Sequence, residues 1–247
     1  MRFPKPLRDP LAHLVVSAVT DPTRAAPLWA FRHFCHLALR SPDGSVRART
    51  LETPPPRPPW MASSPVREAL RDIPVLAPVS DGRLALAPAY AQYLPAVAER
   101  VEAYWAAAES FAARGGPRRS GLAGTLESAA ALYNAHLYFE THELLEPVWM
   151  EQPRGPDRTV LQGIIQAAVG LYHFQLENWR GGVRVLGYGL RKAEAGRPDF
   201  HGLVMDELLD GLAGCREAAQ AVLEGERTAF PWEAVPPMRF APGGEGP

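Results

Sequence analysis

Proline sets the first limit on what this chain can fold into. Of its 26 prolines, 16 lie in residues 1–95 and only four between Arg118 and Phe230. An interior proline removes a helical hydrogen bond and clashes with the preceding turn, at a cost of roughly 3 kcal/mol. Long helices are therefore expected in the second half, and short helices, turns and brief strands in the first. With 247 residues, 47% of them hydrophobic and 21% charged, the chain has enough apolar material for a buried core.

Charge divides the chain in the same way. The net charge of −1 splits into +6 over residues 1–120 and −7 over residues 121–247, which fits two modules with different surfaces better than general attraction to nucleic acid. No apolar run approaches the roughly 18–20 residues of a membrane span, and the N-terminus lacks a signal-peptide core. The reading is cytoplasmic, with no membrane partner. Cys35 and Cys215 form no CxxC pair, so neither a disulfide framework nor a cysteine zinc site is indicated. His33 and His36 flank Cys35 but lack nearby carboxylate or thiolate partners for a metal.

In order, residues 1–10 read as an irregular arm, and residues 11–39 as helix broken at Asp21-Pro22-Thr23. An Asp-Gly turn and short strand or hairpin follow in residues 41–51, then an extended PPPRPP linker at 54–59. Residues 66–72 suggest a short helix, and 73–88 two strands around Ser80-Asp81-Gly82. Helix followed by a two-stranded wing is winged-helix-like and supplies a DNA-binding alternative, although no base-reading motif accompanies it. An amphipathic helix at 89–113 stops at Gly115-Gly116-Pro117. The chain is thus expected to be mainly α: an N-terminal α+β module with a Pro-rich linker (1–116), a helical bundle (117–229) and a disordered tail (230–247). Bundle helices are expected at 125–135 capped by Thr125, 138–150 with its last turn broken by Pro147, 158–177 capped by Asp157, 179–194 capped by Asn178, and 203–223.

Unusual polar residues concentrate in residues 134–182. HELLE places His142 and Glu146 at i and i+4, on one side of a helix, with Glu143 between and Trp149 one turn on. In QGIIQAAVGLYHFQLEN, Gln162, Gln166, His173 and Glu177 fall within about 60° of one another beside an apolar stripe. Polar groups at the margin of a buried face want hydrogen-bond partners or a ligand.

These two stretches resemble the signature of the domain of unknown function 309 family. Asn134, Phe139, His142, Glu143, Leu145, Glu146 and Trp149 match the first motif. Gln162, Gly163, Ile165, Gln166, His173, Asn178, Arg180 and Gly181 match the second. The resemblance covers about residues 122–190 and implies a compact all-helical bundle; the family brings no established activity. His136 and Glu177 stand where that pattern has glycine, Gly182 where it has alanine, and Pro147 is unusual for it.

Three explanations of the cluster stay open. A buried network of His142, Glu143, Glu146, Gln166 and His173 would lock neighbouring helices by mutual hydrogen bonds, with Gln166 bridging to His142 or Glu143. A small-ligand or partner-binding pocket would use Gly163 and Gly170 for close approach and Tyr172 and Trp149 as walls. A metal-dependent hydrolase would take His142, Glu146 and His173 as ligands and Glu143 as base, a variant of HExxH in which Glu146 replaces the second histidine. GxSxG, Walker and Rossmann patterns are absent. The sequence names no cofactor, and it leaves a homo-oligomer open.

Overall fold

The computed structural model describes residues 3–241 and divides into two compact units, Met1–Gly116 and Pro117–Pro247. The fold is mainly α, with little sheet. No helix among the described residues is long and apolar enough to cross a membrane.

The first unit contains α1 (Lys5–Thr20), α2 (Ala26–Ala38), α3 (Val66–Arg71) and α4 (Leu94–Ala113). The expected irregular arm is instead the start of α1: Pro6 sits in the first turn, where its missing N–H costs nothing, and Pro10 is tolerated inside. Leu7, Leu11 and Val15 are fully buried along one stripe, and that burial outweighs the lost bond. Phe31 and Phe34 of α2 and Val97, Val101 and Tyr104 of α4 are buried with them in the core. Across α2 and α4, Arg32 binds Glu102 at 2.9 Å, and His36 Nε2 lies 2.5 Å from the same carboxylate.

The sheet of this unit is small and antiparallel. Strands β1 (Val46–Arg47), β2 (Leu76–Val79) and β3 (Arg83–Leu86) lie in the order β1-β3-β2, with Leu76 opposite Leu86 and Val46 opposite Leu84. The β2–β3 turn has Asp81 at φ 63° and Gly82 at φ 67°, the doubly left-handed geometry that Asp-Gly favours. Residues 41–51 give only the two-residue β1, which pairs with β3, followed by a 3-10 turn. A 3-10 turn also occupies Pro88–Tyr93, so α4 begins five residues later than the pattern implied.

The second unit is a bundle of α5 (Gly121–Asn134), α6 (Tyr138–Glu151), α7 (Pro156–Gln175), α8 (Trp179–Ala193) and α9 (Met205–Leu223). A two-residue hairpin, β4 (Asp199–Phe200) and β5 (Leu203–Val204), precedes α9. Helix α7 is central, packed on α6 and α8, and α8 packs on α9. Gly163 and Gly189 face each other so closely that a Cβ on Gly163 would lie 2.5 Å from the Ala193 nitrogen, and one on Gly189 2.8 Å from the Gly163 oxygen.

Three end assignments need correction. Thr125 is not a cap: α5 begins at Gly121, and the Thr125 hydroxyl donates back to the Gly121 carbonyl. Asp157 lies within the first turn of α7, and its carboxylate meets His201 at 2.9 Å. Pro147 does not end α6, which continues to Glu151 with Pro147 on its exposed side. Asn178 does cap α8, accepting from Gly181 N.

The expected disordered tail also needs revision. Residues 242–247 lie outside the described residues, but residues 230–241 run against the bundle. Phe230 and Met238 are buried, and the Phe230 ring makes tilted contacts with Phe174 and Trp179 and an edge-on contact with Trp232. The Asn134 amide clasps Met238, donating to its carbonyl at 3.0 Å and accepting from its N–H at 2.8 Å. Arg119 donates to the Ala241 carbonyl and lies over the Phe240 ring. The proline and glycine content pointed to disorder, but four large apolar side chains spaced along this stretch bury enough surface to hold it.

Candidate functional site

Helices α6 and α7 run as an antiparallel pair joined by a short loop, and ring contacts mark its two ends. Phe139 lies 5.3 Å from Tyr172 between centroids, and the Arg158 guanidinium sits 4.4 Å above the Trp149 ring. Arg158 also donates to the carbonyls of Met150 and Gln152, fixing the loop. Between these ends His142, Glu146 and Trp149 follow one another at i, i+4 and i+7 on α6, and Gln162, Gln166 and Val169 do the same on α7.

The α6 acids pair with their own histidine. His142 Nδ1 is 3.1 Å from Glu143 Oε1, and Nε2 is 3.7 Å from Glu146 Oε2. Side-chain exposures of 22%, 32% and 41% make this a half-open cluster rather than a buried one. The cross-helix bridge from Gln166 is not formed: its Oε1 is buried and accepts no hydrogen bond. Trp149 Nε1 is likewise buried without an acceptor. Gln162 is half-buried, with no side-chain hydrogen bond among the described residues.

His173 and Asn178 belong to the turn between α7 and α8. Asn178 Oδ1 accepts from Gly181 N, leaving Nδ2 to donate to His173 Nδ1 at 2.8 Å. Nδ1 is then the acceptor nitrogen, and the ring proton sits on Nε2. Glu177, next to this turn, is exposed at φ 56°, and His136 occupies the corresponding place after α5 at φ 58°. Both departures from the family's glycines are therefore left-handed residues.

Among the described residues, no three His, Cys, Asp or Glu side chains gather closely enough to hold a metal ion. The proposed ligand set of His142, Glu146 and His173 is not assembled, because His142 is engaged by its own helix and His173 by the Asn178 cap. Glu143, the proposed base, is bonded to His142. The glycines assigned to ligand approach are filled by protein: Gly163 faces Gly189 and Ala193, and Gly170 faces Leu186. In the first unit α3 carries the exposed Arg67 and Arg71, and Arg67 pairs with Glu52 at 3.3 Å.

Two features escaped the sequence. Glu140 is fully buried on α6, two residues before His142. The other is the Arg158–Trp149 stack. Tyr133, on the inward stripe that the periodicity of α5 implies, is buried to its hydroxyl, and burial pushes its pKa well above the usual range. A glutamate within YFETHELL carries no signal of depth, because its neighbours on both faces are mixed.

Residues 126–185 match the model of a family described as Domain of unknown function (DUF309), in agreement with the resemblance carried by the two motifs. The uncharacterized protein YpuF of Bacillus subtilis (strain 168) is 36% identical over 98 residues, covering 40% of this chain and 53% of that protein. The chain thus spans about half the length of the curated relative it matches. No solved structure matches it.

Proposed function

We propose that the α6–α7 face binds a small ligand that carries a hydrogen-bond donor, an acceptor and a cationic group. The observation that carries this reading is the pair of complementary buried groups without partners, the acceptor Gln166 Oε1 and the donor Trp149 Nε1. Leaving such a group unsatisfied costs about 1–3 kcal/mol, so each needs a reason to be there. A bound molecule that donates to Gln166 and accepts from Trp149 removes both penalties, and because neither atom is open to solvent its entry requires the side chains covering them to move aside. Glu143 and Glu146, half-exposed beside His142, supply the negative rim that favours an amine or guanidinium.

The structural-network reading required mutual pairing across the helices, and the hydrogen bonds of His142, Glu143 and Glu146 stay within α6. No chemical step is assigned. The test is native mass spectrometry of the full-length protein incubated with a fractionated small-molecule extract. A bound mass that persists in the wild type and is lost in both Gln166→Met and Trp149→Phe supports the proposal. Retention in both variants, or no bound mass with any fraction, refutes it.

A further inference from the structure

We propose that the outward side of α8 is a binding surface for single-stranded nucleic acid, a second site separate from the α6–α7 face. Helix α8, WRGGVRVLGYGLRKA, holds Arg180, Arg184, Arg191 and Lys192 and no acidic residue. It does so in the half of the chain that carries −7. Arg180, Arg184, Tyr188 and Arg191 are spaced four, four and three residues apart, which places them on one side of the helix. At 1.5 Å per residue this stripe is about 16 Å long, with steps of about 6 Å between its first three members. All four are exposed, and Tyr188 is 45% exposed. The opposite side, with Gly182, Val183, Leu186 and Gly189, is buried.

Two cations of this stripe, Arg180 and Arg184, are available for a partner. Arg119, Arg158, Arg197 and Arg239 of the same unit each donate to a carboxylate or carbonyl. Arg180 and Arg184 have no acceptor among the described residues. Arg180 also stands in the first helical turn, where the backbone dipole disfavours a positive charge, so helix stability does not explain it. Arg216 donates from Nε to the Val183 carbonyl and adds a cation beside α8.

Tyr188 decides between anionic partners. The Arg191 guanidinium lies over one face of its ring, 4.9 Å from the centroid, so this exposed aromatic is backed by a cation and a base would stack on its other face. Cations that follow a phosphate backbone, with an aromatic on which a base stacks, are the recurring elements of single-strand recognition. Paired bases in a duplex offer no free face to such a ring. A bilayer needs a broad apolar wedge, and one tyrosine among arginines does not provide it.

The experiment is fluorescence anisotropy of full-length protein with labelled oligothymidylate and oligouridylate of about 20 nucleotides. Saturable binding is expected at about 50 mM salt, and with three to four phosphates neutralised the log-log salt slope should be about −2 to −3. Arg180→Ser with Arg184→Ser should weaken binding at least tenfold. Tyr188→Ala should weaken the oligonucleotides about tenfold yet leave heparin affinity and the melting temperature unchanged. Absence of saturable binding, or equal affinity in the double variant, overturns the proposal. An equal loss of heparin binding in Tyr188→Ala also overturns it, because the ring would then be reading no base. Tighter binding to poly-glutamate or to anionic phospholipid vesicles than to either oligonucleotide overturns it in favour of an acidic protein or a membrane.

Discussion

Replacing Glu177 with glycine should stabilise the protein, and the reason lies in how α7 ends. Glu177 N donates to the Phe174 carbonyl at 2.9 Å, and Asn178 N to the His173 carbonyl at 2.9 Å. These are the two bonds of a Schellman cap, in which the first residue beyond the cap turns left-handed. At φ 56° a residue with a Cβ bears about 1–2 kcal/mol of strain there, and a carboxylate at the negative end of a helix adds a few tenths. Against this, glycine loses about 0.5–1 kcal/mol more conformational entropy on folding. The net gain for Glu177→Gly is about 1 kcal/mol, or roughly 2–4 °C in melting temperature.

The same substitution at His136 should have the opposite sign, although the backbone is nearly identical. His136 N donates to Tyr133 O, and Leu137 N to Leu132 O, with φ 58° at His136. Here the side chain has work to do: Nδ1 lies 2.7 Å from the hydroxyl of the fully buried Tyr138. Losing that partner costs about 1–3 kcal/mol, which exceeds the relief of strain. Urea unfolding of Glu177→Gly, Glu177→Ala and His136→Gly separates the effects, since Glu177→Ala removes the charge but keeps the strain. A neutral or destabilised Glu177→Gly, or a His136→Gly that gains as much, would refute the argument.

Other outcomes follow from the same structure. Gly163→Ala puts a Cβ 2.5 Å from a backbone nitrogen of α8, so the helices must separate; calorimetry should show a loss of about 1–3 kcal/mol. Asn134→Ala removes both bonds to Met238, and limited proteolysis should cut residues 230–241 earlier than in the wild type. Burial, aided by nearby His36, lowers the pKa of His33 below its usual 6.5, so the unfolded chain binds a proton more readily than the folded one. The stability from this group is present above pH 6.5 and lost as pH falls below it, and a urea titration against pH should lose that slope in His33→Gln.

The bundle was legible because its helices are long, periodic and punctuated by residues such as Asn178 that have one strong local use. The errors came where a strong local signal met a stronger tertiary one. The pattern of residues 1–10 reads as an irregular arm and Pro147 as a break in the last turn of α6, yet Pro6 lies in a first turn, the burial of Leu7, Leu11 and Val15 carries α1 past Pro10, and α6 continues to Glu151. The glycines of α7 looked like room for a ligand, and a helix occupies that room; periodicity identifies a bare face but not what covers it. At the site, the residues of α6 and α7 were identifiable from spacing, whereas their partners were not. Whether Gln166 reaches across to Glu143 depends on distances between helices that a single sequence does not encode.

The most direct test of the α6–α7 site is the unfolding free energy of ligand-free Gln166→Met, prepared by refolding from urea. If the buried carboxamide lacks a partner in the free protein, an apolar side chain of similar length removes an unsatisfied acceptor, and stability should rise by about 1 kcal/mol. A fall of about 1–3 kcal/mol would mean that Gln166 already holds a structural hydrogen bond, and would contradict the claim that this face awaits a ligand.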